Sequence, residues 1–345
     1  MEGYIYDMEE IIISSTITFI LTFFVFYILS VKINKHKKGL NFRQSRKNMP
    51  EKEKTSNVTN EVRETNICRQ DEEVFIKYMT DVSMNAALEE KAFEAFLQPK
   101  YELKGETIVG AEALVRWITE GEIFLYPNNF IPFFEKNGFI INLDLYMFEK
   151  VCEIIHSWRS AGIKEVAVSI NFSRRHLANE GFAEELGKIA DSWKVPRSLL
   201  EIEVTESIAM ENIVQIQRSF AALRRLGFSV ALDDFGSGYS SLGFLKNMPI
   251  DTVKLDKSFF DRIENQQKFE TIIKHILLMA HELDLRVVAE GIETEEQVNL
   301  LRHFDCDMVQ GFYYAKPMKE ALFKEALKKQ SKEMEVDYSA TYAVL

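Results

Sequence analysis

The feature that most constrains the fold is an alternation of short apolar runs and longer amphipathic stretches that begins near residue 90. The longer stretches include Asn142–Ala161 and Phe269–Leu283, the second of which carries apolar residues at helical spacing. Eight strands over about 250 residues, most of them separated by helices, favour an α/β chain folded as a (β/α)8 barrel, with an open doubly wound sheet as the alternative. The predicted strands are the short runs Phe96–Lys100, Thr107–Val115, Glu165–Asn171, Leu199–Thr205, Ser229–Asp233, Thr252–Leu255, Arg286–Ala289 and Met308–Phe312.

Polar side chains stand at or near the ends of seven of these runs. They are Glu112, Asn171, Glu203, Asp233, Lys254, Glu290 and Gln310. In a barrel the carboxyl ends of the parallel strands converge on one face, whereas in an open sheet they are spread along an edge many strands wide. One shared pocket explains seven polar strand ends better, so the pattern favours the barrel.

Carboxylates dominate this predicted pocket. Taken singly, each acid has the ordinary alternative of a solvated strand end or a helix cap. Taken together they would repel one another and become protonated unless a cation compensated them. Oxygen-only ligands suit Mg²⁺ or Mn²⁺ rather than Zn²⁺. The adjacent Asp233 and Asp234 predict two ions with one bridging carboxylate, an arrangement used for displacement at phosphorus. The residues concerned are Glu112, Glu203, Asp233, Asp234 and Glu290, with the amide of Asn171 beside them.

Lys254 is the one cation among the seven predicted strand-end residues. It would either balance the charge of the carboxylates or hold an attacking water or a phosphate oxygen. Asp256 lies two residues further on and would project to the same side of the strand, where it could fix the ammonium.

Several other kinds of site are disfavoured by the sequence. A net charge of -11 argues against binding to polymeric nucleic acid, which requires clustered Lys and Arg. The three cysteines and the scattered histidines fit neither a disulfide framework nor a zinc site. The glycine-rich segment 234–243 matches neither G-x-G-x-x-G nor a P-loop. It is better interpreted as a mobile loop beside the predicted metal site.

The N-terminal region predicts a membrane anchor. Residues 11–31 carry no charge and are long enough, as a helix, to cross a hydrocarbon core of roughly 30 Å. A buried core helix and a cleaved signal peptide are the alternatives, but acidic residues precede the run and no small-residue cleavage site follows it. Lysines follow the run and none precedes it, which places the basic side in the cytoplasm.

The predicted organisation follows from these features. Residues 1–10 form a short tail outside the cytoplasm, 11–31 a single transmembrane helix and 32–84 a polar cytoplasmic linker. Residues 85–335 form the catalytic domain, and residues 336–345 form a C-terminal tail.

The segment Glu112-Ala-Leu-Val-Arg116 resembles the signature of the EAL-domain cyclic di-GMP phosphodiesterases. Further segments that resemble this family occur in the family's order over about residues 85–320. The resemblance implies a (β/α)8-like barrel with one strand reversed. The further segments are Gln98-Pro99, Ser169-Ile-Asn171-Phe-Ser173, Glu203-Val-Thr-Glu206, Asp233-Asp-Phe-Gly236, Lys254-Leu-Asp256, Glu290-Gly-Ile-Glu293 and Gln310-Gly-Phe.

The resemblance also implies roles for individual residues. One metal ion would be bound by Glu112, Asn171, Glu203 and Asp233, and the second by Asp233, Asp234 and Glu290. Lys254 would contact the nucleophilic water, Glu206 would brace the glycine-rich loop and Glu293 would orient neighbouring groups. The substrate-binding residues would be Gln98, Leu114, Arg116, Asp256 and Gln310. Arg116 has a physical argument of its own, since a guanidinium fork matches phosphate oxygens.

The function that the sequence predicts is metal-dependent hydrolysis of cyclic di-GMP to linear pGpG at the bacterial inner membrane, with the domain in the cytoplasm. The main alternative is a binding module that senses the dinucleotide without cutting it; such receptors should have gaps among the metal ligands or at Lys254, and this sequence has none. A phosphodiesterase for glycerophosphodiesters fits less well, because there is no catalytic histidine pair. The resemblance further suggests a homodimer near the glycine-rich loop.

Overall fold

The computed structural model describes residues 81–119, 121–206, 213–236, 245–260 and 265–342. The predicted tail 1–10, the predicted transmembrane segment 11–31 and nearly all of the predicted linker 32–84 lie outside these residues. None of the helices in the described part of the chain is both long enough and apolar enough to cross a membrane.

The described residues include ten strands and eight α-helices. The strands are β1 (Phe93–Glu102), β2 (Thr107–Thr119), β3 (Glu122–Leu125), β4 (Ala167–Asn171), β5 (Leu200–Thr205), β6 (Ser229–Phe235), β7 (Thr252–Leu255), β8 (Arg286–Ala289), β9 (Met308–Val309) and β10 (Met318–Lys319). The helices are α1 (Asp81–Glu89), α2 (Pro127–Asn137), α3 (Ile140–Ser160), α4 (Phe182–Ser192), α5 (Ile213–Arg225), α6 (Gln266–Glu282), α7 (Glu295–His303) and α8 (Glu320–Tyr342).

Eight of the strands close into a barrel. Strands β2, β4, β5, β6, β7, β8 and β9 are parallel and pair in that order. Strand β1 runs antiparallel to both of its neighbours in the barrel, β2 and β9, and so closes the sheet. The predicted barrel with one reversed strand is therefore confirmed. The carboxyl ends of the seven parallel strands face the same end of the barrel, where active sites of this architecture form.

Strand β2 is longer than predicted. It continues past residue 115 to Thr119 and forms a hairpin with β3, turning at Gly121, whose φ is 81°. The prediction that Glu112 ends its strand is wrong, because the residue lies in the middle of β2. The extension is stabilised by aromatic packing, since Trp117 contacts the rings of Phe93 and Phe130.

The two predicted helices are confirmed with small shifts of their ends. Residues Asn142–Ala161 correspond to α3, which buries Leu143, Phe148 and Ile155 against the sheet. The stretch Phe269–Leu283 corresponds to α6, which buries Ile273 and Leu277. These helices cover the outside of the parallel strands, so apolar residues of the strands pack there.

Candidate active site

Lys254 lies at the centre of the predicted cluster. Its side chain is 1% exposed, and its Nζ lies 2.7 Å from Glu203 Oε2 and 2.8 Å from Glu290 Oε1. Two further carboxylates are near, with Asp233 Oδ1 at 3.1 Å and Glu112 Oε2 at 3.5 Å. The structure thus gathers four carboxylates from four strands or strand ends around one buried ammonium.

Glu112 connects this cluster to the amide side chains. Its Oε1 accepts a hydrogen bond from Asn171 Nδ2 at 2.7 Å, and its Oε2 accepts one from Gln310 Nε2 at 2.6 Å. Gln310 Nε2 also lies 3.1 Å from the Oε1 of Gln98, which stands directly opposite Glu112 in the β1–β2 pair. All seven predicted strand-end residues therefore belong to one contact network.

Burial and mutual repulsion shift the acidities of this network. Burial raises the pKa of Glu112 and of Asp233, and it raises the pKa of Glu290 to about 8 although Lys254 acts in the opposite direction. Burial also acts to raise the pKa of Glu203, but Lys100 and Lys254 outweigh it and hold this pKa at about 2. Without further positive charge, the cluster holds more carboxylate than its lysines stabilise, which favours binding of an additional cation.

The donor set fits a hard divalent cation. Oxygen atoms of Glu112, Glu203 and Asp233 all lie within 4.8 Å of one another. Ligand oxygens on opposite sides of an octahedral Mg²⁺ are about 4.2 Å apart, twice the usual metal–oxygen distance. The three carboxylates therefore need only a small contraction to share one ion, and carboxylate oxygens are the ligands that Mg²⁺ and Mn²⁺ prefer.

Asp234 owes its position to a local irregularity of β6. The pairing of β6 with β7 shifts register between Leu232 and Phe235, and Asp234 has a φ of 57°. Its backbone N–H donates a hydrogen bond to Asp233 Oδ1 at 2.9 Å. A bulge of this kind re-aims side chains, so two consecutive acids need not project to opposite faces of the sheet. Burial, and then the charge of Asp256, raises the pKa of Asp234.

The predicted bracing residue contacts the start of the glycine-rich segment. Glu206 is buried, and its Oε2 accepts a hydrogen bond from the backbone N–H of Gly236 at 3.0 Å. Gly236 has a φ of 91°, and a Cβ at this position would lie 2.0 Å from the ring of Phe259. The glycine is therefore required, and Glu206 fixes the backbone where the segment leaves β6.

Glycine also explains how the ends of β8 and β9 meet. A Cβ on Gly311 would lie 2.0 Å from the carbonyl oxygen of Ile292 and 2.3 Å from its nitrogen. The bare glycine lets the two chain segments touch, and the N–H of Ile292 donates to the carbonyl of Gln310 at 3.2 Å. This contact joins the loop of Glu290 to that of Gln310 and places both residues at the mouth of the barrel.

Two of the predicted site residues, Asp256 and Glu293, make their contacts outside the cluster. The prediction that Asp256 fixes the Lys254 ammonium is wrong: all the ion-pair partners of Lys254 among the described residues are the four carboxylates given above. Instead Asp256 Oδ1 accepts from the N–H of Ser258 at 2.9 Å and begins the 3-10 turn Lys257–Phe260. Glu293 is exposed, and its backbone N–H donates to Gln297 Oε1 at 2.8 Å at the start of α7.

Arg116 and Leu114 lie on the same face of β2 as Glu112, since side chains alternate along a strand. The guanidinium carbon of Arg116 lies 5.7 Å from the ring centre of Phe96 and 5.6 Å from that of Tyr126. Its Nη1 donates to the carbonyl of Val115 at 2.8 Å. Two aromatic rings thus hold the guanidinium above the cluster, where an anionic ligand would reach it.

A second group of charged side chains, which sequence reasoning missed, lies below the cluster inside the barrel. Lys100 is 3% exposed, and its Nζ donates to Glu203 Oε1 at 2.9 Å and to Glu201 Oε2 at 3.0 Å. The alternation of Glu201 with Glu203 along β5, and of Lys100 with Gln98 along β1, could have indicated that these side chains face inward. The pairing of Lys100 with the two acids could not be read in this way, because its partners lie far away along the chain.

Comparisons with known proteins agree with this geometry. A family model described as the EAL domain matches residues 81–317. The chain is 34% identical over 255 residues to the signaling protein YkoW of Bacillus subtilis, and 36% identical over 245 residues to the cyclic di-GMP phosphodiesterase NbdA of Pseudomonas aeruginosa. These alignments cover 74% and 71% of this chain but 32% and 31% of the relatives, so the chain spans about a third of their length.

Solved structures show the same similarity. The PaMucR phosphodiesterase, solved in complex with c-di-GMP, is 30% identical to this chain with a TM-score of 0.65. The alignment covers 69% of this chain and 97% of that one. The matched range 81–317 contains all the strands of the barrel and all the residues of the cluster. The chain therefore belongs to the EAL domain family.

Proposed function

We propose that the barrel is a phosphodiesterase that hydrolyses one phosphodiester bond of cyclic di-GMP to give linear pGpG. The observation that carries the proposal is the set of four carboxylates that surrounds the buried ammonium of Lys254 at the active-site end of the barrel. The name of NbdA and the ligand of PaMucR support the choice of substrate, because the chain is similar to both and both names mention cyclic di-GMP.

The carboxylates would hold divalent cations, Mg²⁺ or Mn²⁺, in a two-metal site. Glu112, Asn171, Glu203 and Asp233 would bind one ion, and Asp233, Asp234 and Glu290 would bind the other. Such ions polarise phosphoryl oxygens and lower the pKa of bound water. Support for the first site comes from the short distances among Glu112, Glu203 and Asp233.

Lys254 would act on the nucleophile. An ammonium already directed at four carboxylates has acceptors on several sides, so its N–H groups can turn toward a water without leaving the cluster. It would orient the water and stabilise the negative charge that develops during its attack on phosphorus. Glu206 would act indirectly by holding Gly236, and Glu293 would orient neighbouring groups at the loop after β8.

The substrate would be held by Gln98, Leu114, Arg116, Asp256 and Gln310. Arg116 supports this proposal because no carboxylate of the described residues lies within ion-pair distance of it, so its fork is available to a phosphate. Gln310 supports it because its buried Oε1 has no hydrogen-bond partner among the described residues. A buried acceptor of this kind is stabilised when a ligand donor reaches it.

The test is cleavage of cyclic di-GMP by the full-length protein with Mg²⁺ or Mn²⁺, followed by separation of the products. We expect linear pGpG, loss of cleavage in excess chelator and recovery when either ion is restored. Calcium should restore little, because it takes more ligands at longer distances and polarises water weakly. Binding of cyclic di-GMP without cleavage in the presence of Mg²⁺ and of Mn²⁺ would identify a receptor and refute the proposal.

We also propose that residues 11–31 anchor the protein in the bacterial inner membrane and leave the domain in the cytoplasm. The support is the uncharged run and the lysines that follow it. A reporter fused after Leu345 should be active only in the cytoplasm, and a periplasmic signal would contradict the orientation.

A homodimer through the EAL domain is proposed as well, and light scattering that gives the mass of one chain would contradict it.

A further inference from the structure

A layer of polar side chains lies inside the barrel directly below the acidic cluster. Barrel interiors of this class are usually filled by bulky branched apolar residues. Here three parallel strands carry inward-facing polar residues two positions before the cluster residues. Ser169, Glu201 and Thr252 precede Asn171, Glu203 and Lys254 in β4, β5 and β7.

Lys100 enters this layer from the reversed strand β1. Its Nζ donates three hydrogen bonds, to Ser169 Oγ at 2.8 Å, to Glu203 Oε1 at 2.9 Å and to Glu201 Oε2 at 3.0 Å. An ammonium has three N–H donors, so each of them has an acceptor. A buried charge with all its donors satisfied has no better position to move to, because any other would leave it partly unpaired.

Glu201, the second acid that Lys100 contacts, is itself held in place. Glu201 Oε1 accepts from Thr252 Oγ1 at 2.8 Å and lies 3.3 Å from Arg286 Nη2. Arg286 Nη2 also lies 3.2 Å from Thr252 Oγ1. The partners of Lys100 are therefore fixed from the far side, and the ammonium keeps one position relative to Glu203.

The two oxygens of Glu203 consequently have different environments. Oε1 accepts from Lys100 in the lower layer, and Oε2 lies 2.7 Å from Lys254 in the cluster. Glu203 is completely buried, so no bulk solvent competes for either oxygen. A cation that binds in the cluster would compete with Lys254 for the same carboxylates and can take its place at Oε2. Two of the three acceptors of Lys100, Ser169 and Glu201, lie in the lower layer, so Lys100 would keep its position at Oε1.

We propose that Lys100 is a positioning residue that reserves one oxygen of Glu203, so that Glu203 offers a single oxygen to the cluster and the site discriminates against Ca²⁺ in favour of Mg²⁺. The inference rests on the proposed metal site. Mg²⁺ takes six ligands in an octahedron, whereas Ca²⁺ takes six to eight and often binds both oxygens of a carboxylate. A carboxylate restricted to one oxygen suits the first ion and deprives the second of a ligand.

The ratio of the Ca²⁺ affinity to the Mg²⁺ affinity distinguishes this role of Lys100 from charge repulsion alone and from a merely structural role. Removing the charge of Lys100 would strengthen the binding of all divalent cations to a similar degree, because Coulomb repulsion does not depend on the identity of a doubly charged ion. A merely structural role would weaken the binding of all of them. Only the release of the second oxygen would change the affinity for Ca²⁺ relative to that for Mg²⁺.

In the experiment, Mg²⁺ or Ca²⁺ displaces bound Mn²⁺ from the full-length protein in the absence of cyclic di-GMP. Electron paramagnetic resonance detects the Mn²⁺ that is released. The variant is Lys100→Met, which keeps the length of the side chain. In it Glu201 keeps Thr252 and Arg286 as partners. Lys100→Met/Glu201→Gln is a second variant that also removes the buried acid, in case the first does not fold. Lys104→Met is the matched control, because Lys104 is exposed and the change of residue type and charge is the same.

We expect the ratio of Ca²⁺ to Mg²⁺ affinity to rise roughly tenfold or more in both Lys100 variants, the usual scale for removing a group that orients a metal ligand. It should stay unchanged in Lys104→Met. An unchanged ratio in a folded Lys100 variant would overturn the inference, whether the two affinities rise or fall together. A wild-type protein that binds no Mn²⁺ would instead refute the proposed metal site, so the two failures are distinguishable.

Discussion

Acids of the cluster differ in how many cationic partners they have. Glu203 has Lys254 on one oxygen and Lys100 on the other, which keeps the pKa of this carboxyl at about 2 despite its burial. Glu290 has only Lys254 as an ion-pair partner among the described residues, and burial raises its pKa to about 8. Neighbouring acids of one pocket thus have pKa values shifted in opposite directions because their cationic partners differ.

Glu112→Gln should abolish hydrolysis and leave the protein folded. The amide keeps one acceptor oxygen, for Asn171 or for Gln310, and removes the negative charge that a divalent cation requires. Lys254 retains its three closer carboxylates, so unfolding in chelator should change by no more than about 1 kcal/mol, the scale of one hydrogen bond. Turnover should fall roughly 10²-fold or more.

The measurements for Glu112→Gln are turnover of cyclic di-GMP and thermal unfolding in chelator. Glu102→Gln is the control, because Glu102 is an exposed acid at the end of β1. It should match the wild type in both. Normal turnover by a folded Glu112→Gln protein would remove Glu112 from the metal ligands, and an unfolded one would show that its role is structural.

The predictability of these residues depended on short-range signals. Residues within compact motifs, such as Glu203 and Asp233, were predicted from the sequence. Lys100 was not, because its acid partners lie 101 and 103 residues away along the chain. The error for Asp256 came from extending the alternation of a strand beyond its end, since β7 stops at Leu255.

At the scale of elements, the loops that follow the strands place the cluster as much as the strands do. The loop after β8 and the loop after β9 touch where Gly311 meets the backbone of Ile292. The N–H of Tyr313 donates to the carbonyl of Ile292 at 3.0 Å, which adds a second connection. Glu290 and Gln310 lie in the cluster because these two loops are packed together.

Gly311→Ala should destabilise the protein and reduce activity. A Cβ would lie 2.0 Å from a backbone oxygen, so one of the two loops would have to move. Insertion of a methyl group into a packed region costs about 1–3 kcal/mol or more. Urea unfolding should show this loss. The control is Gly105→Ala, where the nearest atom would be a side-chain methyl at 3.5 Å, and its stability should change by less than about 0.5 kcal/mol. Equal stability of the two variants would contradict the role of the close contact.

Element boundaries were less predictable than element types. All eight predicted strands overlap observed ones, because runs of β-branched residues between helices are a strong signal. Strands β3 and β10 were missed. Each pairs with only one neighbour at the edge of the barrel, and two to four residues carry too little pattern to be recognised. Strand β2 was predicted too short because its last part pairs with β3 outside the barrel.

At the scale of the whole molecule, the reversal of β1 brings Lys100 under the cluster. Its antiparallel course puts Gln98 opposite Glu112 at the upper level and Lys100 opposite Gly110 two residues below. The charged interior therefore has two levels, and the charged residues of the lower one, Lys100 and Glu201, are absent from the motifs by which the family was recognised. The barrel class could be predicted from polar strand ends, but contacts across its interior could not, since they depend on the closure of the sheet.

The central claim is that the cluster around Lys254 performs the chemistry and does not merely balance charge. Its most direct test is single-turnover cleavage of cyclic di-GMP by Lys254→Met at saturating Mn²⁺ and saturating substrate. If Lys254 positions the water, the rate should fall roughly 10²-fold or more under these conditions, while substrate affinity changes much less because Arg116 and the cations would hold the phosphates. If Lys254 only compensates the four carboxylates, saturating metal should replace its charge. A wild-type rate for the variant would then contradict the account.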